Sequence, residues 1–475
     1  MPVPIRERLH ILWHNPGGVR EVLPVALPLI ISSGANAIMM FCDRVFLARF
    51  DSISIQAALP AGVLSFTLCC GFQAVIAYTG TFVAQYYGAK RLDQIVRTVF
   101  QGFWLTLAAI PLMMLLIPAG IWLIRSNGHP VDVVASEELY FSVLMVGGVF
   151  LCVNALLSGY FCGVGKARLT MYVNLVGAGF NIGADWLLIF GNWGLPRMGI
   201  FGAGLATVLG VAIPGMILFL CFLRELARGP RPKGFWRPDL ALCRRICRFG
   251  LPAAGHQLIE VSAFTAFVML LGRLGALELA AGNICFSINH LAFAPLYGLG
   301  VAASILVGRY QGARESGLAE RAGWSSVVVG LGYMGVVGGS FLLVPDGYLA
   351  LFGANQAEYS IGELLGTGKP LLRLMAFWGF ADLVNIVLVG ALRGAGDTRV
   401  PLLVTTLGSW LVWLPMAGWM VWRQCSILAQ WQYLAGYCWV LAGVFLWRWL
   451  RGRWKSIRVI HTPGDLALME PPGAV

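Results

Sequence analysis

The sequence predicts an all-α polytopic membrane protein, with twelve transmembrane helices in two six-helix lobes related by a pseudo-twofold axis along the membrane normal. Three observations carry that prediction. Of 475 residues, 58% are hydrophobic and only 12% charged, about half the charged share of a soluble domain. Apolar windows long enough to cross a bilayer recur along the whole chain. Short segments also repeat at a nearly fixed displacement, so the second half echoes the first.

The windows fall at 22–48, 54–86, 96–123, 136–163, 168–190, 200–223, 249–272, 280–308, 322–345, 367–392, 399–421 and 430–450. The first run has no small-residue cleavage site after it and reads as a spanning helix, not a removed leader. With the N-terminus placed inside, 26 of the 34 lysines and arginines lie in segments on that side. The positive-inside rule then puts both termini in the cytoplasm. The same distribution accounts for the net charge of +12 without any nucleic-acid partner. The expected organisation is a cytoplasmic N-terminal segment (1–21), a first lobe (22–223), a basic cytoplasmic linker (224–248), a second lobe (249–450) and a cytoplasmic tail (451–475).

The repeat is specific at several points. Leu27-Pro28 recurs as Leu251-Pro252 and Gly88-Ala89 as Gly312-Ala313, both 224 residues on. The turn from Gly163 to Arg168 recurs as Gly394 to Arg399, displaced by 231. A repeat of six helices keeps its orientation in the bilayer, which places the symmetry axis along the normal. It also needs no second chain to complete a path, so a monomer is expected.

Four acids stand inside these apolar stretches: Asp43, Asp185, Glu260 and Asp382. A carboxylate at mid-bilayer costs at least ~2.5–3.5 kcal/mol and persists where it faces protein or water and has a cation or proton to bind. Asn181 and Asp185 are four apart and share one helix face. Counting ~1.5 Å per residue from the cytoplasmic end sets Asp185 toward the outer half, at a depth similar to Asp43. Oxygens gathered at one level suit Na⁺, or a proton shared between carboxylates. The plainer alternative for Asp43 is an ion pair with Arg44 or Arg49 at the outer surface. Glu260 and Asp382 fall near mid-span, and His256 lies one turn before Glu260. That imidazole either pairs or exchanges a proton with Glu260, or simply donates to a helix carbonyl.

Other polar and aromatic residues in the spans are candidates for a substrate cavity. Asn36, Gln73, Asn283 and Asn289 supply hydrogen-bonding groups, most simply to neighbouring helices. Tyr78, Phe286, Phe293 and Trp378 are packing or interfacial residues singly, but together could line a cavity for a flat organic cation. Pro28 and Pro252 occupy equivalent places in the two lobes and are candidate hinges, because proline frees a backbone carbonyl and permits a bend.

Catalytic signatures are lacking: there is no GxSxG, HExxH or phosphate-binding loop, so neither an enzyme nor nucleotide-driven transport is indicated. The 11 cysteines form no CxxC pair and lie mostly in apolar spans, where they read as small hydrophobes.

Several segments resemble the multidrug and toxic compound extrusion (MATE) family over essentially the whole chain. They are Pro28 with Asp43, VAQYYGA at 83–89, NxxxDWLLIFG at 181–191, GIFGAGLATV at 199–208 and LRGAGDTRVP at 392–401. The resemblance implies an antiporter of the bacterial inner membrane that exports cationic or amphipathic drugs by alternating access, driven by Na⁺ or H⁺ and needing no other cofactor. It implies that Asp43, Asn181, Asp185 and Thr207 form a first-lobe cation site. Glu260 and Asp382, with His256 beside them, are similar to a second-lobe site of the NorM-like branch. Trp378 departs from that branch, which would offer tyrosine there. The implied mechanism is mutual exclusion, in which a cation neutralises the carboxylates, bends the first or seventh helix and weakens drug binding. Two rival readings stand beside it: a lipid-linked saccharide flippase of the same superfamily, and an integral-membrane lipid-modifying enzyme. A flippase is expected to hold several basic residues in its cavity, and by counting no Lys or Arg reaches mid-membrane depth. The enzyme would need clustered His/Asp motifs at a membrane face, and none is present.

Overall fold

The computed structural model describes residues 13–229, 233–353 and 361–460. Arg6, Arg8 and Arg231 of the charge count, and the tail beyond residue 460, lie outside the described residues. Among the described residues, twelve helices are long and apolar enough to cross a membrane: α1 (Val19–Phe50), α2 (Ser52–Gly88), α3 (Leu92–Ser126), α4 (Val131–Gly163), α5 (Ala167–Phe190), α6 (Gly199–Arg228), α7 (Leu240–Leu271), α8 (Leu277–Gly312), α9 (Ser316–Leu343), α10 (Leu365–Ala395), α11 (Arg399–Trp422) and α12 (Ile427–Leu450). A short helix, Pro345–Gly353, precedes α10. No strand occurs among the described residues.

The helices outrun the apolar windows where amphipathic turns continue into basic sequence. The expected linker 224–248 is the clearest case, since α6 runs to Arg228 and α7 begins at Leu240. Its first turns bury Leu242 and Ile246 and expose Arg244 and Arg248. Hydropathy windows discount such charged turns, although their apolar stripe packs normally. Two spans are irregular. The helix of α2 is interrupted at Tyr78, and α11 contains a π-helical stretch, Leu407–Trp413. That widened turn lies just before Pro415, whose ring would clash with the carbonyl four residues back in a regular α-helix.

Contacts divide the chain into two compact units. The N-unit comprises Ala35–Ala254, Gly308–Ser316 and Ile457–Val475, and the C-unit Met1–Gly34, Gly255–Val307 and Gly317–Ser456. The boundaries cut through α1 after Gly34 and through α7 after Ala254. Within the N-unit, one apolar core gathers Leu47, Met113, Phe141, Met145 and Ile189. A second holds Phe82, Phe161, Phe222 and Ile246. Val459 and Ile460, in the segment expected as a cytoplasmic tail, are buried in this second core. The C-unit core centres on Phe267, Met375, Trp378, Trp413 and Trp431. In it α10 lies backbone-to-backbone on α8: a Cβ at Gly394 would stand 2.1 Å from the Ser304 carbonyl oxygen. Only a residue without a side chain permits that approach.

Candidate functional site

The N-unit brings together residues from four helices. Asp43 of α1 keeps 8% of its surface, and Asn181 and Asp185 of α5 keep none. The Asp43 and Asp185 carboxyls face each other within hydrogen-bonding reach. Yet Asp43 Oδ1, both Asp185 oxygens and both amide atoms of Asn181 have no hydrogen-bond partner. Two carboxylates can meet out of water only by sharing a proton or a cation. Gly210 of α6 makes the approach to α5 feasible, since a Cβ there would stand 2.7 Å from Asn181 Cβ.

Tyr140 of α4, which the sequence reading missed, completes the group. It is buried, within hydrogen-bonding reach of Thr207, and close enough to feel both aspartates. Thr207 itself donates to the Ala203 carbonyl at 2.9 Å. An aromatic within a span usually signals packing, so no sequence cue marked Tyr140. Arg44 lies within electrostatic range of Asp43, but its side chain is exposed. Neither it nor Arg49 pairs with Asp43 among the described residues.

The C-unit gathers a different group. His256 Nδ1 lies 2.8 Å from Arg393 Nη2 and 3.8 Å from Glu260 Oε2. A guanidinium only donates, so Nδ1 must accept and the imidazole proton sits on Nε2. His256 thus sits beside Glu260 as expected and in addition accepts from Arg393, a contact the sequence did not indicate. Arg393, which counting puts at the cytoplasmic end of its span, reaches an imidazole two turns inside the seventh window. Glu260 keeps 51% of its side-chain surface, and Arg393, Asp382 and Tyr297 lie within electrostatic range of it. Asn385 and the Cys438 thiol lie within hydrogen-bonding reach of Asp382.

The MatE family model matches residues 28–187 and 252–419, covering both acidic groups. The chain belongs to the MATE family. It is 30% identical over 410 residues to the probable multidrug resistance protein NorM of Brucella suis biovar 1, covering 83% of this chain and 84% of that protein. Its fold is that of a multidrug resistance MATE family transporter solved in an outward-facing conformation, with a TM-score of 0.83 at 20% identity, covering 95% and 99% of the two chains. A transporter of the MOP superfamily from Pyrococcus furiosus, described as having a binding pocket of reverse polarity, also aligns at 0.83 with 19% identity over the same shares. The assignment is to a family of membrane transporters, not of enzymes.

Within this MATE chain the remaining candidates are scattered. Asn36 and Asn283 are exposed, and Gln73, Phe286 and Asn289 are half-buried. Tyr78, Phe293 and Trp378 do not form open wall, as all three are buried. Tyr78 stacks on Phe249, and Trp378 and Phe286 pack against Trp431 at 5.1 and 4.7 Å. Tyr78, Trp378 and Phe286 thus already pack against other rings. α1 and α7 run unbroken through Pro28 and Pro252.

Proposed function

We propose that this MATE protein is a secondary active multidrug exporter of the bacterial inner membrane. It works as a monomer of two six-helix lobes with both termini cytoplasmic, expelling cationic or amphipathic organic compounds by alternating access in exchange for Na⁺ or H⁺. The observation that carries the reading is the buried pair Asp43 and Asp185, in which Asp43 Oδ1 and both Asp185 oxygens lack a hydrogen-bond partner. With the Asn181 amide oxygen they form an all-oxygen set, which suits a hard monovalent cation or a proton. Cation entry from outside would neutralise the pair and favour the state that releases drug, while drug binding from inside would favour cation release. Coupling is thereby assigned to Asp43, Asn181, Asp185, Thr207 and Tyr140. Glu260 and Asp382, with Arg393 and His256 beside them, serve the other lobe's path, and Pro28 and Pro252 are the points of bending.

The test is efflux of a fluorescent cation from proteoliposomes under an imposed Na⁺ gradient at fixed pH, or a proton gradient without Na⁺. Acceleration by one gradient and not the other names the coupling ion. Efflux indifferent to both would reject the antiport reading. A lipid-linked saccharide flippase draws some support from Arg393, the one base found in the C-unit group. That base already engages His256 at 2.8 Å, and an anionic substrate would have to displace it. Stimulation of efflux by pyrophosphate-bearing lipid would favour that alternative.

A further inference from the structure

The connection between α6 and α7 is built against α3 by three attachments in the N-unit. Gln101, fully buried, donates to the Arg237 carbonyl at 3.1 Å and accepts from the Asp239 amide at 2.8 Å. The Trp104 indole donates to the Trp236 carbonyl at 2.9 Å. Phe235 packs edge-on against Phe100, with ring centroids 5.0 Å apart. The result is an ordered cleft of ≈ 610 Å³ lined by Arg97, Lys233, Trp236, Arg237 and Asp239.

The charge of this cleft is unbalanced. Arg97, Lys233 and Arg237 form no ion pair among the described residues. The Asp239 carboxylate accepts from the Leu242 amide at 3.0 Å and so caps the start of α7. Around it, Trp104, Trp236 and Leu240 expose apolar surface at 37%, 55% and 83%. Exposed indoles beside basic groups mark the depth where headgroups meet acyl chains.

We infer that this cleft is a binding site for the phosphodiester of an anionic glycerophospholipid, with Arg97, Lys233 and Arg237 holding the phosphate and Trp104, Trp236 and Leu240 meeting the glycerol and upper chains. The inner-leaflet location rests on the topology proposed above, but the binding chemistry does not. The test therefore uses purified full-length protein in a zwitterionic detergent, titrated calorimetrically with short-chain dioctanoyl phosphatidylglycerol, dioctanoyl phosphatidylcholine or inorganic phosphate. Phosphatidylglycerol should bind, and phosphatidylcholine should not. The Arg97→Gln/Lys233→Gln/Arg237→Gln variant should weaken binding at least about tenfold, and salt should do the same by screening. Lys233→Gln alone, at an exposed position without packing, should weaken it severalfold and guards against misfolding of the triple variant. Equal affinity for both lipids, or unchanged binding in the Lys233→Gln and triple variants, would overturn the site. Inorganic phosphate binding as tightly as the lipid would assign the cleft to a soluble anion and overturn the lipid assignment. Neither drug efflux nor membrane orientation enters these readouts, so failure of the exporter reading would be separately visible.

Discussion

The two acidic groups occupy the two halves of one sequence repeat, yet they balance their charge by opposite means. In the N-unit, Asp43 and Asp185 face each other, and Asp43 Oδ1 and both Asp185 oxygens have no hydrogen-bond partner. The nearest base, Arg44, is exposed and unpaired with them. In the C-unit, Arg393 is built in beside Glu260, held by a neutral His256, and Glu260 stays half-open. A resident guanidinium remains charged under any physiological condition, so the second group carries a cation of its own, and the first must obtain one. The same inversion recurs at the repeated turn. Lys166 in the first copy pairs with Glu225 of α6, whereas Asp397 in the second pairs with Arg448 of α12 at 2.7 Å. The second pair is the more buried, at 15% and 4% side-chain exposure against 51% and 30%. Duplicated topology thus preserves where helices turn and leaves the sign of charge free to change. What distinguishes a site that must recruit a cation from one that already holds it is a single long basic side chain.

Four measurements bear on that contrast. The largest effect is expected at Asp43→Asn and Asp185→Asn, which keep shape but remove the charge. Each should lower gradient-driven efflux at least about 30-fold, the equivalent of ~2 kcal/mol from one charged ligand, with normal amounts of protein in the membrane. Full transport in both would remove the N-unit from coupling. Glu260→Gln should cost less, about three- to tenfold, because Arg393 already compensates part of that charge. If Glu260→Gln abolishes coupling while Asp185→Asn does not, the contrast is inverted. Thermal unfolding of Arg393→Gln, Glu260→Gln and the double variant comes next. Arg393→Gln should destabilise by about 1 kcal/mol or more, and adding Glu260→Gln should restore part of it. Strict additivity would mean that the two groups do not interact. The smallest effect is expected for Tyr140→Phe, which removes one hydroxyl and should weaken apparent cation affinity about fivefold, at ~1 kcal/mol per hydrogen bond. An unchanged ion dependence would return Tyr140 to a packing role.

Much of the fold was legible in the sequence because lipid-facing helices announce themselves by length and hydropathy. The bounds failed where charged turns stay helical, as at the start of α7, since a window average cannot see a buried stripe formed by Leu242 and Ile246. Asp43, Asn181 and Asp185 were legible because polar groups are rare in such spans. Their meeting with Tyr140 was not. That the rings Tyr78, Phe293 and Trp378 are buried was not legible, because an aromatic has the same sequence signature whether its face is open or packed. The contact of Arg393 with His256 was not legible either, since it depends on which way a long side chain turns.

By itself, the sequence determined the number of helices, their repeat and the short roster of acids, since each follows from the cost of placing a residue type in hydrocarbon. Only the tertiary structure decided which of these acids are partners and which are already neutralised. Partnership depends on how each helix is rotated about its axis and how closely its backbone can approach the next. Those quantities are set by packing between distant segments, as where Gly210 admits Asn181 and Gly394 lays α10 on α8.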